Sequence, residues 1–273
     1  MGERRIEGAG VLLGAEEAGE GIPVVLVHGL TATRRYVVMG SKWLERNGHR
    51  VIAYDARGHG TSAPAPDPEA YGYDALSDDL AAVLDAFEVE RAVLAGASMG
   101  AHTLLAFALA HPERVSAIVA VTPAYDPATA DDPDRLARWH DLAEGLRRGG
   151  VEGFMEAFGR PDVPEQMLDT VLTVQRQRLG RHEHPEAVAD ALDVVPRSRP
   201  FDDLQALGAI EAPAVVVASR DDADAEHPLE VGEAYARAIP GARLQVEERG
   251  KSPLAWQGGQ LSRVIAEAAA AAG

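Results

Sequence analysis

Short apolar runs alternate along this chain with longer stretches in which apolar residues recur at helical spacing. The runs Val24–Val27, Arg50–Tyr54, Ala92–Ala95, Val115–Val121, Ala214–Ala218 and Arg243–Val246 have the length and composition of buried strands. Between them, Val38–Asn47, Ala75–Phe87, His102–Ala110, Leu229–Ala238 and Leu261–Ala272 carry helical periodicity, with Gly48 and Gly241 placed to end two of them. Strands that read as continuous apolar runs belong in the middle of a sheet covered on both faces. The pattern therefore predicts an α/β fold, a mostly parallel central sheet flanked by helices.

One region departs from the alternation. From Pro127 to Asp203 no strand pattern occurs, but helical patterns run over Arg135–Arg148, Gly153–Phe158, Gln166–Leu179 and Pro185–Leu192, separated by Gly and Pro. Strand patterns flank it on both sides, so it reads as an insertion in one folding unit. The expected division is a core of residues 1–126 and 204–273 with a helical cap over 127–203, placed to wall a substrate pocket. Trp139, Phe154, Phe158 and Met167 suit either the inner surface of that cap or its own core.

Composition narrows the chemistry. At 273 residues the chain can bury a large core, and its 43 acidic against 26 basic residues give a net charge of −17. That charge opposes binding to nucleic acid or to anionic membrane surfaces and leaves a small molecule as the expected partner. With no cysteine there is no thiol nucleophile, disulfide or thiolate metal site. Residues 1–21 are rich in glutamate and hold no apolar stretch of signal-peptide or membrane-span length, so a cytoplasmic location is the default expectation.

The chemistry centres on Gly96-Ala97-Ser98-Met99-Gly100, set between an apolar run and a helical pattern. A strand, a sharp turn and a helix in that order hold a serine hydroxyl exposed at the tip of the turn, with small residues letting strand and helix approach. Three further segments accompany it: Val24-Val25-Leu26-Val27-His28-Gly29-Leu30, Asp55-Ala56-Arg57-Gly58-His59-Gly60-Thr61-Ser62, and Val215-Val216-Val217-Ala218-Ser219-Arg220-Asp221-Asp222. Together the four segments, in this order and spacing, resemble the α/β-hydrolase superfamily, in particular its capped esterase, lactonase and carbon–carbon hydrolase branch. The resemblance covers nearly the whole chain.

The resemblance implies Ser98 as nucleophile, with the backbone N–H groups of Leu30 and Met99 as oxyanion donors. His28, Arg57 and His59 fall at loop positions and are expected to organise those loops. The acid falls on Asp222 when counted from the strand end and on Asp224 when counted back from Pro228. A departure comes after the last strand, where the family usually has a glycine-histidine pair and this chain has Gly250-Lys251. An unperturbed lysine, with a pKa near ~10.4, is almost wholly protonated at neutral pH and cannot replace an imidazole base. A nearby carboxylate would hold it protonated more firmly still.

Lys251 leaves three readings. Ser98 is served by another histidine, His227 near the acid loop or His102 one helical turn past the serine. Alternatively, Lys251 pairs with Asp222 or Asp224 and the chain is a weak hydrolase or a silent relative. In the third, the pocket is a noncatalytic ligand-binding site on a hydrolase scaffold. The preferred expectation is a serine hydrolase of a small carboxylic ester or lactone with an altered triad and low turnover. Neither a metal nor an organic cofactor is expected: His182-Glu183-His184 lacks zinc-protease spacing, and the glycines of the motifs form no dinucleotide or P-loop fingerprint.

Overall fold

The computed structural model describes residues 2–220, 226–248 and 258–272. Eight strands form one sheet: β1 (Gly2–Glu7), β2 (Leu12–Ala18), β3 (Ile22–Val27), β4 (His49–Tyr54), β5 (Ala92–Ala97), β6 (Val115–Val121), β7 (Ala214–Ala218) and β8 (Arg243–Val246). Their order is β1-β2-β4-β3-β5-β6-β7-β8, antiparallel at the β1–β2 and β2–β4 pairings and parallel from β4 onward. The family's fold expected from the motifs is the one observed.

The helices are α1 (Trp43–Arg46), α2 (Tyr73–Ala86), α3 (Met99–Ala110), α4 (Pro133–Phe158), α5 (Glu165–Leu179), α6 (Pro185–Val194), α7 (Leu229–Ala238) and α8 (Gly258–Ala271). Successive strand residues feed opposite faces. Val25, Val27, Leu94, Ile118 and Val216 pack with Leu80, Leu84, Leu105 and Tyr235 on one side, whereas Val24, Leu26, Val93, Val119 and Val217 pack with Leu44, Leu261 and Ile265 on the other. The central strands are apolar throughout because both faces are covered. Among the described residues no helix is long and apolar enough to cross a membrane.

Three expectations need correction. β1 and β2 carry no apolar run: β1 is a charged, largely exposed edge strand, held by its backbone ladder and by Arg4–Glu17 at 2.9 Å. Charge of this kind keeps an edge from pairing with another chain, at the cost of hiding the strand from a hydropathy reading. The helix expected over Val38–Asn47 shrinks to α1, because Met39 (φ 47°) and Gly40 (φ 71°) leave helical geometry while Val37 and Val38 sink into the core. Finally, the patterns at Arg135–Arg148 and Gly153–Phe158 run on as α4, broken only by non-helical Gly150.

α4, α5 and α6 lie between β6 and β7 in the chain and share an apolar cluster of their own: Leu142, Leu146, Phe154, Met155, Leu179, Val188 and Leu192. Phe154 is buried there and stacks on Phe158, with ring centroids 6.0 Å apart. Those aromatics, which suited either role by sequence, serve the insert's own packing.

Candidate active site

The turn between β5 and α3 places Ser98 at φ 52°, ψ −117°, outside the regions open to an ordinary L-residue. Such a conformation costs about 1–3 kcal/mol and persists where the surroundings enforce it. Here they do: Ser98 N–H donates to Val121 O at 2.9 Å, and a Cβ at Gly100 would overlap the Val27 carbonyl oxygen. α3 is apolar on every side and buried, which fixes the direction in which the turn leaves the sheet. Met99 is its first residue, so its N–H is one of the amides that have no acceptor within the helix.

The loop after β3 lies against this turn. A Cβ built on Gly29 would stand 3.1 Å from Ala97 O and 3.4 Å from Ser98 Cβ, so the loop backbone passes tightly against the serine turn, with Leu30 as the next residue. His28 Nδ1–H donates to Gly29 O at 2.8 Å and its Nε2 accepts from Ala56 N at 2.9 Å. This links the β3 loop to the β4 loop. Burial pushes the His28 pKa down to about 3, so the ring stays a neutral bridge. His59 donates to Arg57 O at 2.9 Å, and Arg57 grips Asp79 with Nε–Oδ2 at 2.8 Å and Nη2–Oδ1 at 2.9 Å. All three therefore sit where loop organisers sit.

His227, in the segment before α7, brings Nε2 to 2.9 Å from Ser98 Oγ. Both residues are half-buried. His102 does not face the serine: its Nε2 accepts from Ala124 N and Tyr125 N, each at 3.0 Å, and its Nδ1 is 2.9 Å from the Tyr73 hydroxyl. Both ring nitrogens are thus committed, with the proton on Nδ1, and burial holds the pKa down to about 3. Of the two histidines weighed as a base, geometry brings His227 to the Ser98 hydroxyl and assigns His102 to the backbone after β6. Asp222, Asp224 and Lys251 lie outside the described residues.

Two features had no sequence signal. Glu247, just past β8, is buried and accepts from Ser219 Oγ at 2.9 Å and from Arg220 N, so it ties the ends of β7 and β8 together. Arg34, on the loop after β3, pairs with the buried Asp55 after β4. Each joins segments distant in sequence, and nothing in either stretch marks the partner.

A family model for the alpha/beta hydrolase fold matches residues 22–184. The chain belongs to that family. It is 29% identical over 239 residues to a 2-hydroxy-6-oxononadienedioate/2-hydroxy-6-oxononatrienedioate hydrolase of Pseudomonas putida, covering 84% of this chain and 81% of that protein. It is 31% identical over 205 residues to a hydrolase of the same description from Paraburkholderia phymatum, covering 73% of this chain and 68% of that one. Among solved structures it is similar to a thermophilic esterase of Thermogutta terrifontis, with a TM-score of 0.78, 28% identity, and 98% of this chain and 96% of that chain covered. These relatives are hydrolases by name, which supports a hydrolytic enzyme on this α/β-hydrolase scaffold.

Proposed function

We propose that this chain is a serine hydrolase of small carboxylic esters or lactones, with Ser98 as nucleophile and His227 as general base. The observation that carries the reading is the Ser98–His227 contact, 2.9 Å between Oγ and Nε2 at a strained strand-to-helix turn. Esterase and N-acyl homoserine lactone-degrading structures among its neighbours, the latter 25% identical with a TM-score of 0.66, support the substrate class.

In this reading the Ser98 hydroxyl gives its proton to His227 Nε2 as Oγ attacks the carbonyl carbon. The charge that develops on the carbonyl oxygen is met by the N–H groups of Leu30 and Met99, fixed in place before the reaction begins. The imidazolium returns the proton to the leaving alkoxide, which departs as alcohol or, from a lactone, stays tethered. Water then repeats the sequence on the acyl-enzyme, again through His227, and frees the acid and Ser98. Asp222 or Asp224 orients His227, and residues 127–203 act as the cap over the substrate. The triad is altered in that its imidazole precedes α7 and Lys251 occupies the position after β8.

The test is kcat/KM on p-nitrophenyl acetate and on a short lactone for the parent, Ser98→Ala, His227→Ala and the double variant. Each single variant is expected to fall to the floor left by the oxyanion hole and binding, about 10³–10⁴ above water, and the double variant no lower, because the two groups act as one unit. Parental activity in Ser98→Ala would remove the serine mechanism and leave a ligand-binding protein on a hydrolase scaffold.

A further inference from the structure

Thr31, next to Leu30, is a buried β-branched residue at φ 64°. A residue of that shape stays in the left-handed region only when its surroundings hold it there. The groups that hold it come from the helical insert, nearly 150 residues further along the chain. In the last turn of α5, Arg178 donates from Nη2 to Leu30 O at 3.1 Å and to Thr31 Oγ1 at 3.2 Å, with its guanidinium carbon 5.8 Å from the Tyr36 ring centroid. In the turn after α5, His182 Nδ1 accepts from Gly60 N at 2.9 Å. That bond leaves the ring proton on Nε2, which donates to Thr31 O at 3.0 Å.

The Leu30 side chain is bound to the same junction. It packs both against the cluster of Met99, Ala187 and Val194 and against the insert's own core around Phe154 and Leu179. Carbonyls and hydroxyl of the Leu30–Thr31 pair are thus held by the end of α5 and the turn behind it, while the Leu30 side chain lies in the seam between the insert and Met99 of α3.

We propose that Arg178 and His182 are positioning residues that set the direction of the Leu30 N–H, so that the insert's seating and the oxyanion hole are one event. The proposal rests on the reading of Leu30 as an oxyanion donor. Arg178 fixes the plane of the Leu30–Thr31 peptide. The Leu30 N–H lies in the preceding Gly29–Leu30 peptide, whose oxygen accepts from His28 Nδ1 and Ala32 N. Without Arg178, Thr31 relaxes out of its left-handed conformation, the Leu30–Thr31 peptide rotates, and the change, passed back through the Leu30 backbone, loosens the direction of that N–H. A donor that must be aimed at a developing charge loses its effect when its direction is free, even though the amide is still present.

The experiment compares Arg178→Ala, Arg178→Lys, Arg178→Gln and His182→Ala with the parent on a neutral ester, p-nitrophenyl acetate, and on an anionic one, p-nitrophenyl hemisuccinate. Loosening one donor should cost less than deleting it, so kcat is expected to fall by about 10- to 100-fold with KM nearly unchanged, and equally on both esters. Inhibition by a trifluoromethyl ketone, whose adduct carries the oxyanion, should weaken in proportion, and Arg178→Lys should recover part of both losses. Hydrogen exchange over residues 29–36 is measured in parallel in a Ser98→Ala background, where Arg178→Ala should accelerate it. This arm is independent of turnover, so it decides the latch even if Ser98→Ala proves fully active and the hydrolase reading falls. Unchanged exchange in that loop overturns the proposal. So does a loss confined to KM for the anionic ester, which would make Arg178 a substrate contact. Should Arg178→Ala fail to fold, Arg178→Lys and Arg178→Gln carry the same comparisons.

Discussion

Nε2 of His227 stands 2.9 Å from Oγ of Ser98, across 129 positions of sequence. β5 and its turn present the serine at the centre of the sheet, and the segment entering α7 presents the imidazole from the crossover that leaves β7, two strands away. An imidazole therefore reaches the Ser98 hydroxyl from the segment between β7 and α7.

With that contact in place, an imidazole at position 251 would be redundant. Lys251→His is expected to change kcat by less than about tenfold (~1.4 kcal/mol) in the parent background. In a His227→Ala background, where loss of the proposed base should cost about 10²–10⁴, the same change should recover activity only if position 251 can reach the serine. Steady-state kinetics on p-nitrophenyl acetate checks both. A large gain from Lys251→His in the parent would mean that His227 is a poor base and that the chain works near its floor.

The Arg57–Asp79 pair is buried and two-pronged, with Asp79 fully inaccessible. Arg57→Ala strands that carboxylate and should cost about 3–5 kcal/mol, whereas Arg57→Met with Asp79→Leu should cost far less because no charge is left unpaired. Urea denaturation midpoints give the comparison. Equal losses in the single and double variants would place the stability in packing alone.

Acid should weaken the fold through its buried histidines. His28 and His102 are held down to about 3, and His59 and His182 are also lowered, in each case by burial first. The unfolded chain takes up these protons near pH ~6.5 while the folded chain refuses them, so stability is full above that pH and falls as pH drops toward about 3. Each such group contributes up to ~1.36 kcal/mol per pH unit in that window. Stability measured by urea at pH 8, 6, 5 and 4 should show this slope, and His102→Gln should flatten it by one group's share. An unchanged slope in that variant would mean that His102 is not kept neutral by the fold.

Gly100→Ala should damage stability and activity together. Its Cβ would overlap the Val27 carbonyl oxygen, so either β3 or the serine turn must shift. Overpacking of this sort costs about 1–3 kcal/mol. A thermal melt and the rate of phosphonate labelling at Ser98 read the two effects; a variant with parental values of both would show that the turn has more room than its backbone contacts suggest.

Local sequence determined a good deal here. β6, β7, β8 and α7 have the bounds expected from the sequence; for β6 and β7 the reason is that strands covered on both faces need no information beyond their own apolarity, whereas β8 is a half-exposed edge strand. The serine turn was legible for a similar reason: small residues, a strand and a helix in sequence are a local requirement, met within five residues. β1 was not, since a charged edge strand is defined by the ladder it joins and not by its own side chains; nor was β2, whose apolar start is cut short by Gly14 and two glutamates.

The site's partnerships were decided only by tertiary structure. By sequence His227 and His102 were both within reach of a base role, and His102 was the nearer to Ser98. The helix turns His102 toward Tyr73 and the amides of Ala124 and Tyr125, while the crossover after β7 brings His227 to the hydroxyl. Arg178 and His182 show the same division, since nothing near them in sequence points to Leu30 and Thr31. Periodicity and turn chemistry act over a few residues and are written locally; which side chain meets which across the top of a sheet depends on the order in which its strands are stacked. That order is a property of the folded chain as a whole.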